Sequence, residues 1–196
     1  MASLRFVLTH KDHPYPEDAI SAVEAWGEFT IHSNEDLLLR TEWNLEEFIE
    51  WYLETREQRF SSSLPDILPG ESLAQASARS RQALQSADDE NLSDLLYNFR
   101  EAHQLYFAFR GSYMPGVMLG INHGHGEISF ISTDPKREAH FMELSWIKPG
   151  SWAYAFDIPD FSAYMDQHLK DYLREWLTRT NNSDVIANAH RLLDAF

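Results

Sequence analysis

The chain of 196 residues has no cysteine, which excludes disulfides, thiolate metal ligands and a cysteine nucleophile together. It is also short of positive charge. Sixteen Lys and Arg stand against 31 Asp and Glu, a formal charge of -15 at pH 7. A surface of that sign repels nucleic-acid phosphates and anionic lipid headgroups, so direct binding to nucleic acid or to a membrane is not expected. No stretch approaches the roughly 18 uninterrupted apolar residues of a membrane span. The N-terminal MASLRFVLTHKDHPYPED has neither the basic start nor the long apolar run of a secretory signal. A cytoplasmic location is the expectation.

Several catalytic signatures are missing as well: a serine elbow G-x-S-x-G, a Gly-rich phosphate loop with Lys, H-E-x-x-H and a dinucleotide fingerprint. Their absence moves weight from enzyme to binding protein, and no cofactor is expected.

What is present is enough for a core. Apolar residues make up 43% of the chain and aromatic residues 13%, which is ample for one well-buried domain spanning residues 1–196. The pattern of elements is α+β. Leu4 to Thr9 alternates as a short strand, and Pro14 and Pro16 delay any helix until Glu17. A brief helix is expected over Ala19 to Trp26. Glu28 to His32 and Leu37 to Trp43 follow as a hairpin about the polar turn Ser33–Asp36. Helices are expected over Asn44 to Phe60, Glu71 to Ser86 and Asp88 to His103, with Ser61 to Ser72 a Pro- and Ser-rich loop.

From Gln104 the period changes to two. Leu105 to Phe109, Val117 to Asn122, Glu127 to Ser132, His140 to Trp146 and Trp152 to Phe156 form the expected strands of an antiparallel meander, with helix the alternative for Gln104 to Phe109. Asp157 to Thr178 carries a sustained apolar stripe at helical spacing, and a last helix is expected to be capped by Ser183. The expected whole is a single α+β domain: a mostly antiparallel sheet packed by four or five helices.

The stretch Thr41 to Phe60, TEWNLEEFIEWYLETREQRF, is electrostatically distinctive. On a 3.6-residue helix, Leu45, Phe48, Ile49, Trp51, Tyr52, Leu53 and Phe60 share one arc, and Glu46, Glu47, Glu50, Glu54 and Glu57 share another. Asn44 is placed to cap it, with Glu47 reaching back in a reciprocal box. The first 60 residues hold 13 acids and five bases, so about half of the charge excess lies there.

Other candidates are histidines. In Gly120-Ile121-Asn122-His123-Gly124-His125-Gly126-Glu127, His123 and His125 are spaced to share a metal, with Glu127 or His140 as a further ligand. The glycines make the same stretch a hairpin turn, and Glu127 follows His125 too closely to match the His-x-His and later Glu of the cupin metal motif. His103 and His168 lie on apolar helical faces, where hydrogen bonding to backbone is the expected role. Tyr113, Trp146, Trp152 and Tyr154 are placed for core packing or for an aromatic binding patch.

A small, acidic, cysteine-free chain without catalytic motifs is similar in general character to bacterial toxin-immunity proteins and phage anti-defence proteins. That likeness of class implies a non-enzymatic inhibitor whose Glu46, Glu47, Glu50, Glu54 and Glu57 meet a basic surface on a partner protein, such as a nuclease or other effector. The alternative is a metal protein or metal-dependent enzyme centred on His123, His125 and His140.

Overall fold

A computed structural model describes residues 3–15, 17, 24–64, 67–84, 90–109, 115–132 and 145–196. In chain order the elements are β1 (Leu4–His10), β2 (Trp26–Ser33), β3 (Asp36–Asn44), α1 (Leu45–Ser61), α2 (Leu73–Leu84), α3 (Glu90–His103), the single turn α4 (Leu105–Ala108), β4 (Met118–Asn122), β5 (His125–Phe130), β6 (Ser145–Ile147), β7 (Trp152–Phe156), α5 (Ile158–Arg179) and α6 (Ser183–Asp194). The fold is α+β with antiparallel strand pairing throughout the described residues, and its strands divide between two sheets, β1-β2-β3-β6 and β4-β5-β7.

Period-two burial builds the first sheet. Leu4, Phe6 and Leu8 of β1 are buried, and Phe6 and Leu8 pair with the buried Ile31 and Phe29 of β2, so one face of the pleat is apolar. The β2–β3 register shifts between Ile31 and His32, which leaves Leu38 as an extra residue and lets consecutive Leu38 and Leu39 both be buried. The turn between them puts Asn34 at φ 55°, a left-handed conformation that Asn tolerates.

Phe6, Phe29, Phe48, Phe109 and Phe161 meet under this sheet at ring separations of 4.6 to 6.1 Å. They belong to a cluster that also takes Ile128, Phe130, Trp152 and Phe156 from the second sheet, so both sheets share one core. Truncating one such ring to Ala costs about 3–5 kcal/mol. A smaller cluster of Leu64, Leu73, Leu96, Phe99 and Met118 seats α2 and α3 on β4.

Several boundaries differ from the sequence-based reading for physical reasons. Gln104 to Phe109 folds as the turn α4 plus one bridge, Gln104 to Met118, because Leu105 N donates to Val117 O and locks a bend there. The strand expected over His140 to Trp146 is described only as β6, which leaves the order of the second sheet to pair with β3. Thr41 Oγ1 and Ser145 Oγ meet at 2.7 Å in that buried pairing. Asn182, not Ser183, caps α6, its Oδ1 accepting from Asp184 N and Val185 N. The helix expected over Ala19 to Trp26 falls largely outside the described residues, and Trp26 itself opens β2.

Helix α5 falls where the sequence leads one to expect a helix, and the structure adds Asp157 as its N-cap and Pro159 in its first turn. Its buried residues Phe161, Met165, Leu169, Tyr172, Leu173 and Trp176 follow one stripe onto the core. Helix α6 packs on α5 through Val185, Ala189 and Leu192. Among the described residues no helix is long and apolar enough to cross a membrane.

Candidate functional site

Helix α1 begins where Asn44 leaves β3. Its Oδ1 accepts from Glu46 N at 3.2 Å and from Ala25 N at 3.1 Å, so one side chain caps the helix and ties it to the start of β2. Glu47 Oε2 is found on the Trp43 indole, 3.1 Å from Nε1. The apolar arc is buried through Leu45, Phe48, Ile49, Trp51 and Tyr52, while Leu53 and Phe60 are half-buried.

The acidic arc divides into three parts. Glu46 accepts a hydrogen bond from Asn188 Nδ2 of α6. Glu47, Glu50 and Glu54 line a cleft of about 710 Å³, together with Trp51 of α1, and Asn98, Glu101 and Phe107 stand on the other side. Glu57 is exposed and outside that lining. Glu50 additionally pairs with Arg191 of α6, a solvent-facing contact worth at most about 1 kcal/mol. The cleft therefore holds four carboxylates, three from α1 and one from α3, and shares its lining with Trp51 and Phe107.

The far wall is fixed by the end of α3, whose last carbonyls lack intrahelical donors. Side chains of α1 supply them. Trp51 Nε1 donates to Glu101 O at 2.7 Å and Arg59 Nε to Ala102 O at 3.2 Å. Arg59 is fully buried, with its guanidinium 4.0 Å from the centre of the Trp51 ring, and it also donates to Tyr52 O and Thr55 Oγ1. It has no carboxylate partner among the described residues, and its Nη1 has no hydrogen-bond partner there. The partial negative charge at the α3 terminus takes the place of a counter-ion. Burial pushes the Arg59 pKa down to about 9, so it remains a cation at neutral pH and offsets part of the negative field of the cleft above it.

Beneath Arg59 lies His103, also fully buried. Its Nδ1 donates to Phe99 O at 2.7 Å and its ring stacks on Phe99 at 3.8 Å. Desolvation by burial, reinforced by the Arg59 charge, holds its pKa down at about 4 against the pull of nearby backbone groups, Phe99 first. The ring is pressed on the β4 backbone, where a Cβ at Gly120 would lie 2.5 Å from its Cδ2. His168 is half-buried, and its Nε2 accepts from Leu8 N at 2.9 Å. Both histidines have the backbone partners expected of core residues.

Among the described residues, those of the metal reading are not gathered into a site. His123 at φ 47° and Gly124 at φ 84° form the two-residue loop of the β4–β5 hairpin, which leaves His123 and His125 exposed. His140 lies outside the described residues. Glu127 is engaged at both oxygens, Oε1 accepting from Leu73 N at 2.7 Å and Oε2 from Asn122 Nδ2 at 2.6 Å. Among the described residues no group of three or more His, Asp or Glu is placed to hold a metal ion. Of the aromatic set, Trp152 is buried against Phe130 and also meets the Tyr154 ring at 6.0 Å, Tyr154 Oη accepts from Lys148 Nζ, Trp146 is half-buried in β6, and Tyr113 lies outside the described residues.

Sequence reasoning missed the far wall of the cleft and the buried cation behind it. Glu101 had a signal, since an acid in the last turn of a helix opposes the macrodipole. Arg59 had one too, standing seven residues after Tyr52 and eight after Trp51 on the apolar arc. Compared with protein-family models, curated proteins and solved structures, the chain matches none.

Proposed function

We propose that this chain is a non-enzymatic binding protein, an inhibitor in the general character of immunity proteins, whose α1–α3 cleft receives a basic segment of a partner protein. The observation that carries the reading is the placement of Glu47, Glu50 and Glu54 opposite Glu101 across one cleft. A lysine or arginine entering it meets carboxylates on both sides and the Phe107 ring, a combination that favours cations by charge and by ring quadrupole. The chain's excess of acid adds long-range steering of a basic partner, which acts on the rate of encounter more than on residence. Glu46 and Glu57 contribute to that field from outside the cleft, and Glu46 also braces α6.

The test uses an oligo-arginine peptide as probe and follows the Trp51 indole N–H by NMR. Binding is expected to shift that signal, to strengthen as salt is lowered, and to be lost in the double variant Glu54→Lys, Glu101→Lys. Glu57→Lys, outside the lining, is expected to retain most of it. Shifts confined to other parts of the chain, or equal losses in both variants, would show that charge alone attracts the peptide and that the cleft is not its site.

A further inference from the structure

Strand β1 is an edge of the first sheet, and an uncovered edge offers backbone groups to any passing strand. Helix α5 covers this one with side chains. Tyr164 Oη donates to Phe6 O at 3.2 Å, and Leu8 N donates to His168 Nε2 at 2.9 Å. The two rings stack one helical turn apart, 5.6 Å between centres and 7° between planes. Further along, His10 stacks on Tyr172 at 3.9 Å, and its Nε2 lies 3.2 Å from Tyr172 O.

The two histidines use the same atom in opposite ways. His168 offers the Nε2 lone pair to an amide N–H, which requires a neutral ring with its proton on Nδ1. His10 donates from Nε2 to a carbonyl, which the Nε2–H ring does whether neutral or cationic. Protonation therefore preserves the His10 bond and abolishes the His168 bond, leaving two N–H groups facing each other.

We propose that the β1–α5 seam is an acid-released latch, in which uptake of one solvent proton at His168 Nε2 breaks the bond to Leu8 and uncovers that amide on the β1 edge, while the Tyr164 and His10 bonds hold the strand in place. The groups that face His168 are Tyr164 and Asp171 on α5 and the Leu8 amide on β1, while Arg5 of β1 acts on Tyr164. His10 faces Tyr172, Glu175 and Arg179, all on α5. Burial lowers the proton affinity of His168, and Asp171 opposes that effect. Since its folded pKa lies below 6.5, the latch is closed at neutral pH and opens as pH falls through the folded value. His103, held at about 4, stays neutral in the upper part of that range.

The test is made on the intact chain, with hydrogen exchange at the Leu8 amide corrected for the intrinsic rate at each pH, and nitrogen NMR of the His168 ring. An unprotonated Nε2 is expected at neutral pH. As pH falls from neutral through the folded titration of His168, Leu8 protection is expected to fall about tenfold in step with the ring, while the amide of Phe29 in the central strand keeps its protection. His168→Gln offers a carbonyl that does not titrate, and its Leu8 protection is expected to be independent of pH. A protonated Nε2 at neutral pH overturns the proposal, as does Leu8 protection that stays flat while His168 titrates. If the glutamine falls short of Leu8 and protection is already lost at neutral pH, the ring titration of the unaltered chain decides alone.

Discussion

Acid should destabilise this protein through His103 well before most of its carboxylates protonate. The ring is fully buried between Arg59, Phe99 and the backbone at Gly120, and its pKa falls from 6.5 to about 4. Unfolding restores the ordinary value, so between those limits the unfolded chain binds more protons and stability rises with pH. The gap corresponds to about 3 kcal/mol, fully present above pH 6.5 and lost progressively as pH falls toward about 4. His10 and His168, also lowered by burial, add in the same direction. A contrary trend is superimposed, because a chain of formal charge -15 repels itself less as it approaches its pI near 4.9. The two are separated by comparing the protein with His103→Gln in urea unfolding at a series of pH values. Both chains share the relief of repulsion, so the difference between them isolates the histidine. It is expected to shrink by about 3 kcal/mol between neutral pH and pH 4. Parallel curves over that range would refute the reasoning, since the burial of His103 would then cost its cation nothing.

Substitutions at two further positions, Gly120 and Glu127, probe the packing beneath α1 and the start of α2. Gly120→Ala places a methyl group 2.5 Å from His103 Cδ2 and 3.4 Å from Arg59 O, and is expected to cost about 1–3 kcal/mol. In thermal melting that is a loss of about 2–4 °C for each kcal/mol. Glu127→Ala removes the acceptor of Leu73 N and of Asn122 Nδ2, and is expected to cost about 1–2 kcal/mol. Glu127→Gln, which still accepts from Leu73 N, should lose less in the same urea titration; equal losses would mean that the carboxylate does not cap α2.

The elements with strong local signals were legible in the sequence. Asn44 marked the start of α1 and Asp157 the start of α5, and helical spacing of apolar residues marked the length of α5. The polar turn at Asn34 and the glycines around His123 likewise marked two hairpins. What was not legible rests on long-range partners. Whether Glu46 and Glu50 face a ligand or the protein itself depends on Asn188 and Arg191, more than 140 residues away. The cleft was invisible because its second wall comes from α3, placed by Trp51 and Arg59 reaching for carbonyls that carry no sequence signature. The division of strands between two sheets was equally hidden, since β6 has three described residues and its pairing with β3 is a choice of partner that local alternation does not express.

Helix α2 shows how far such partners reach. Its sequence is weakly patterned, yet its first turn is fully supplied: Ser72 and Gln75 exchange side-chain bonds with one another's amides, Leu73 N goes to Glu127, Ala74 N to Ser129 Oγ, and Ala76 N to Ser72 O. Two of those acceptors come from residues 54 and 55 positions later in the chain. A twelve-residue helix is marginal by itself in water, so α2 is conditional on β5 already being in place. During folding it should consolidate after the β4–β5 hairpin, and in the native protein its amides should open together with that hairpin as one cooperative unit.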